Sequence, residues 1–210
     1  GDNGALIAAG TPALPIVLES PTDVKGSWAG ILVESNNVQN TLEHVEIRNA
    51  GGAAFNSNGD LGSIIMWADS RLNIDNALVE KSASYGLNIN YGGAELSLSN
   101  SVFTDNDEVP VRVEAPNADG IEANNDFTGN AEDYVELIAT FISSGDQTWQ
   151  NLNVPFLVSG GVITVDNGAS LTVLEGTTIE FGADAGLAVR ADGSYLVADG
   201  SASAPITFTG

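Results

Sequence analysis

A chain of 210 residues with 43% hydrophobic content is long enough to bury a core of its own. Its 28 acidic residues against 6 basic ones, a net charge of −22, argue against attraction to nucleic acid or anionic lipid. There is no cysteine for a disulfide framework, and no apolar run approaches the roughly 20 residues of a membrane helix.

The first twenty residues, GDNGALIAAGTPALPIVLES, align without gaps on DGSYLVADGSASAPITFTG, 190 positions later. Asp2 matches Asp192, Leu6 matches Leu196, Ala8 matches Ala198, Gly10 matches Gly200, Pro15 matches Pro205 and Ile16 matches Ile206. Neither end carries an amphipathic helix to cover it, whereas terminal repeats are normally capped. Two readings stay open: one unit of a longer tandem array, or ends that stack on a partner or on irregular turns.

From Gly26 onward the chain repeats. Leu42, Ile74 and Leu98 correspond, as do His44, Asn76 and Asn100, and Ile47, Val79 and Phe103. Ile31 and Val33 stand where Leu87 and Ile89 stand later. Gly30 precedes Gly62 by one period plus eight residues, and the surplus falls in GGAAFNSNGD, 51–60, which reads as a protruding loop. The clearest copies lie between 62 and 137. There Leu87 and Ile89 give way to Val111 and Val113, then to Val135 and Leu137, each 24 residues on. Asn76, Asn100 and Asn124 keep the same step, as do Phe103 and Phe127, and Asn106 and Asn130. Ile121 falls one place out of step with Leu98, which predicts a bulge. The stretch 141–155, FISSGDQTWQNLNVP, breaks the period and predicts either a second loop or a junction between two kinds of coil. The step of 24 then returns: Ile163 and Val165 to Leu187 and Val189, Leu171 to Tyr195, and Val173 to Val197.

A period in this range signals stacked coils, and apolar residues alternating at i and i+2 within each coil signal strands. Three short strands and three turns use about 20 to 25 residues, with successive strands about 4.8 Å apart. The fold class expected is all-β, a single-stranded parallel β-helix (solenoid) with about 24 residues per coil. One domain over 1–210 is expected, a fragment or repeat unit of a larger protein. The asparagines fit a turn position where stacked amides hydrogen-bond from coil to coil.

The segments NTLEHVEIRNAGG, GSWAGILVES and LEGTTIEFGADAGLAVRADGSYLVADGSASAPITFTG resemble the repeats of right-handed parallel β-helix domains in large secreted and cell-surface bacterial proteins, within the broad pectate-lyase-like group. The resemblance covers most of the chain and implies a right-handed coil and an extracellular or cell-surface location. It does not choose a function, since that group holds polysaccharide lyases, glycoside hydrolases, esterases and non-catalytic surface repeats.

Against the hydrolase pattern, the chain has no Gly-His-Gly and no Arg-Ile-Lys triplet, and its only histidine, His44, falls on the asparagine position. A lyase needs calcium ligands and a base, and Arg112 is the best-placed basic residue. If Val111 and Val113 point inward, Arg112 points outward with Leu32, Ile64, Asn88 and Glu136 in its column. The next outward column is Glu34, Met66, Asn90, Glu114 and Ile138. Asn88, Asn90 and Arg112, bordered by Trp67 and Tyr91, form a candidate carbohydrate or cell-surface ligand site. Arg112, Glu114 and Glu136 are the candidates if the site is catalytic. An ordinary solvated face with a salt bridge has the same composition. Asp107, Glu108, Glu132 and Asp133, on turns one period apart, are candidate ligands for calcium between coils; a solvated acidic turn is the plainer alternative.

The function expected is a non-catalytic extracellular module acting as a rigid spacer or adhesin-type binding domain. The alternative is a carbohydrate-active domain of the lyase or hydrolase type. End-to-end stacking with neighbouring repeats or copies is a further expectation, and no membrane insertion is expected.

Overall fold

The computed structural model describes residues 4–57, 59–91 and 93–210. Asp2, at the start of the terminal match, and Asn58, in the predicted loop, lie outside the described residues. The protein is all-β, with parallel strands. Its first twelve are β1 (Ile7–Ala9), β2 (Ile16–Leu18), β3 (Ile31–Val33), β4 (Thr41–Glu43), β5 (Val45–Arg48), β6 (Ile64–Met66), β7 (Arg71–Asp75), β8 (Leu78–Glu80), β9 (Leu87–Ile89), β10 (Glu95–Ser99), β11 (Val102–Thr104) and β12 (Val111–Glu114). A 3-10 helix, Ala115–Gly120, interrupts them. Ten more follow: β13 (Val135–Ile138), β14 (Phe141–Ile142), β15 (Asp146–Trp149), β16 (Phe156–Val158), β17 (Val162–Val165), β18 (Ser170–Val173), β19 (Thr178–Phe181), β20 (Gly186–Val189), β21 (Tyr195–Ala198) and β22 (Thr207–Thr209).

One eight-stranded sheet, β22-β19-β16-β13-β12-β9-β6-β3, runs through the whole protein. Two four-stranded sheets, β1-β4-β7-β10 and β11-β8-β5-β2, flank its first half. Two three-stranded sheets, β14-β17-β20 and β15-β18-β21, flank its second. The chain returns to a given sheet after every third strand, except that β12 and β13, on either side of the 3-10 helix, are direct neighbours; the order is compatible with a solenoid. All the named strand pairs are parallel, and the central ones hold the predicted register: Leu87 to Val111 to Val135, and Ile89 to Val113 to Leu137. Leu42, Ile74 and Leu98 also pair as the sequence predicts, and so do Ile47, Val79 and Phe103.

Alternation explains the packing, because residues i and i+2 of a strand share a face. The inward members form one continuous core, from Val33 and Leu42 at one end to Val173 and Ile179 at the other. Phe103 and Phe127 pack with ring centroids 5.8 Å apart, and Trp149 and Phe156 do the same further along at 5.5 Å. Each such side chain, fully buried, stabilises by about 1.5–3 kcal/mol.

Between β4 and β5 stands a single residue, His44, with positive φ; Asn76 and Asn100 take the same conformation at the equivalent corners. Left-handed backbone is tolerated best by asparagine among side-chain-bearing residues, which explains the recurrence. His44 is therefore a corner residue. The amide ladder is direct at Asn100 and Asn124, where Asn124 Nδ2 donates to Asn100 Oδ1 at 2.9 Å. At Asn76 it runs through Asp75, whose carboxylate accepts from both Asn76 and Asn100. A second, buried ladder joins Ser82, Asn106 and Asn130: Ser82 N donates to Asn106 Oδ1 at 3.0 Å, and Asn106 Nδ2 to Asn130 Oδ1 at 2.8 Å.

One open alternative is decided, and two expectations need correction. The stretch 141–155 is not a loop throughout, since it contains β14 and β15, which pair with β17 and β18. It is the junction where one pair of flanking sheets gives way to the other. The turn before Ile121 is the 3-10 helix, which explains why Ile121 bridges Leu98 after 23 residues instead of 24. Leu171 pairs with Leu196 and Val173 with Ala198, one place beyond the predicted partners.

Candidate functional site

Arg112 lies on β12 between the inward Val111 and Val113, so its side chain leaves the outer face of the long sheet. Its column is Leu32, Ile65, Asn88, Arg112, Glu136 and Leu157. Ile64, predicted in this column, instead packs inward beside Leu87, and Met66, predicted outward, is fully buried opposite Val33 and Ile89. The reason is length: Ile31 pairs with Ile64, so the insertion at 51–60 adds nine residues to the period rather than eight. One extra residue reverses the face of every following side chain until the register recovers. It recovers at once, because Ile64 to Leu87 is only 23 residues.

The guanidinium of Arg112 is engaged on several sides. Its Nε forms an ion pair with Glu136 Oε2 at 3.2 Å without a well-directed hydrogen bond, its Nη1 donates to Asn88 Oδ1 at 3.5 Å, and its Cζ sits 5.4 Å from the centre of the Tyr85 ring. Glu136 also accepts a hydrogen bond from Ser159 at 2.7 Å. Asn88, buried, spends its amide nitrogen on the Leu61 carbonyl. Asn90 donates to Asp60 at 3.5 Å, and Asp60 is itself bound by Asn56, so the end of the 51–60 insertion lies against this face. Burial holds the Tyr85 phenol above its ordinary range, opposed in part by the Arg112 charge. Tyr134 is raised too, first by burial and then by Glu132 beside it. Glu114 is raised by burial alone.

The structure thus brings together Asn88, Arg112 and Glu136 of the predicted site. Trp67 and Tyr91 do touch, edge to face at 6.0 Å, as their spacing of 24 suggests. Tyr85, Tyr134 and Ser159 were missed. None of the three stands 24 residues from a member of the predicted outward columns.

The four proposed calcium ligands do not converge. Asp107 pairs with Lys25 at 2.7 Å, and the Asp133 carboxylate accepts the backbone N–H groups of Gly129 and Asn130, closing its own turn. Glu108 lies near Tyr85 and Glu132 near Tyr134. Among the described residues no group of three or more acidic or histidine side chains is placed to hold a metal ion. The physical reason is that turn carboxylates find nearer partners in a lysine and in unpaired amides.

The other basic residues are mostly spent as well. Arg48 meets Glu19, Glu46 and Glu80; Arg71 meets Glu95; Lys81 meets Asp23. A separate groove of about 340 Å³ follows the corner of His44, Asn76 and Asn100, away from Arg112. Among the described residues no helix is long and apolar enough to cross a membrane.

Comparison with protein-family models, with curated proteins and with solved structures finds no match.

Proposed function

We propose that the chain is a right-handed, single-stranded parallel β-helix that serves as a non-catalytic extracellular module, a rigid spacer or an adhesin-type binding domain. What supports this most is that Arg112 is already committed to Glu136, Asn88 and the Tyr85 ring. A guanidinium held this way donates and does not accept, so it offers no base for proton abstraction. The long sheet supports the spacer role: eight strands at about 4.8 Å give a rod of roughly 35–40 Å. The strongly acidic surface suits an exposed, soluble module.

One observation favours the second reading, a carbohydrate-active domain. Glu114 adjoins the outward face with its carboxyl raised by burial, the direction a general acid requires. The two readings separate in a screen of acidic and neutral polysaccharides for unsaturated or reducing-end products. The spacer or adhesin reading expects binding or nothing, without turnover. Products that appear with the native chain and vanish with Arg112→Ala would overturn it.

A further inference from the structure

The match between residues 4–20 and 194–210 extends to their backbone. At the first occurrence Thr11 N donates to Leu14 O at 3.1 Å and Leu14 N to Thr11 O at 3.0 Å. At the second, Ser201 N donates to Ala204 O at 3.2 Å and Ala204 N to Ser201 O at 3.3 Å. The hydroxyl of Thr11 also accepts from Leu14 N, and that of Ser201 from Ala204 N. A side chain at Gly10 would strike Ile16 N and Leu14 O, and one at Gly200 would strike Ile206 N and Ala204 O. The strand, the glycine, the closed turn and the following strand are one motif used twice.

The two uses differ in what lies over them. At the first, β4 covers β1 and β5 covers β2, with Ala8 opposite Leu42 and Ile16 opposite Val45. Gly10 N donates to Glu43 O at 2.8 Å and Ile16 N to His44 O at 3.0 Å. At the second, β21 pairs only with β18 and β22 only with β19, so both have an open edge. Among the described residues the N–H groups of Gly200 and Ile206 meet no acceptor. Ala198, Gly200 and Phe208 are exposed where their counterparts Ala8, Gly10 and Leu18 are half-buried. Unpaired strand edges bordered by apolar side chains are templates for further strands.

We infer that the β20–β21–β22 edge is a docking surface for a second copy of residues 21–210, joined in the register that the first copy shows. The second copy's β4 then covers β21 and its β5 covers β22. Shifting the observed pairs by 190 places Ala198 opposite the second copy's Leu42, and Ile206 opposite its Val45. The second copy's Glu43 and His44 carbonyls take the free N–H groups of Gly200 and Ile206. Asp199 falls opposite the second copy's Glu43, where like charges repel, so the junction tightens as salt rises. This inference does not depend on whether the module binds a ligand or catalyses a reaction.

The test is a tandem chain in which residues 21–210 follow Gly210 directly, compared with the single chain by backbone hydrogen exchange. In the tandem, exchange at Gly200 and Ile206 of the first copy slows on the order of a hundredfold. Unchanged exchange at these two amides overturns the inference. So does a tandem whose first copy is native while its second stays unfolded, since the edge would then have failed to template it. Protection of the same amides in the single chain, growing with concentration, overturns it in favour of docking between separate chains.

Discussion

Replacing Asn106 by alanine removes the middle rung of the buried ladder. Asn106 is 1% exposed; its Oδ1 accepts from Ser82 N at 3.0 Å and its Nδ2 donates to Asn130 Oδ1 at 2.8 Å. Ser82 is buried too, so its N–H is left without acceptor or water. An unsatisfied buried donor costs about 1–3 kcal/mol, and the lost bond to Asn130 adds about 1 kcal/mol. The expected loss is therefore about 2–4 kcal/mol. Asn124→Ala is the internal control, because it removes an equivalent rung that is exposed, where water replaces the amide and the loss stays below about 1 kcal/mol. Urea unfolding followed by circular dichroism measures both, at constant slope so that midpoints report stability. Equal losses for the two variants would refute the claim that the buried ladder holds successive strands together.

Phe103→Ala, which empties a fully buried site against Phe127, is expected to lower stability by about 3–5 kcal/mol in the same assay. Gly120→Ala would drive a Cβ into the Leu96 carbonyl, so a loss of about 1–3 kcal/mol is expected, and a neutral result would contradict the close approach. Glu114 is raised above its ordinary value of 4.5, so its charge opposes folding once the pH exceeds that value. Glu114→Gln should therefore raise the melting temperature at pH 7, with the gain fading as the pH falls below 4.5. Asp75 has the opposite sign: the Asn100 amide leads in holding it below 3.8, against burial, with Ser99 and Asn76 assisting. Its contribution is present above pH 3.8 and lost as the pH falls through the lowered value, so the deficit of Asp75→Asn should shrink in acid.

Periodicity made the inward columns legible because stacking like on like requires the same residue type at each level. Leu87, Val111 and Val135 show this directly. The outward columns were legible only where the step stayed at 24. At the 51–60 insertion the spacing is one residue longer than the repeat implies, which sets Ile65 rather than Ile64 on the outer face and buries Met66. The partners of the acidic turns were illegible for another reason. Sequence places Asp107 and Asp133 one turn apart but does not show that Lys25, from a distant segment, reaches the first or that local amides claim the second. The Arg112 site was half legible. Asn88 and Glu136 sit one step away on either side, whereas Tyr85 and Ser159 approach from neighbouring turns that no period predicts.

Spin labels test the stacking most directly, since the chain has no cysteine of its own. Asn73 and Ser97 are partners on adjacent strands, and Thr41 is the partner of Asn73 on the other side. Nitroxides at Asn73→Cys and Ser97→Cys sit on backbones about 4.8 Å apart and should show strong dipolar broadening. A pair at Thr41→Cys and Ser97→Cys, two strands apart, should broaden less. No broadening for the first pair, or more for the second than for the first, would contradict parallel strands stacked in this register.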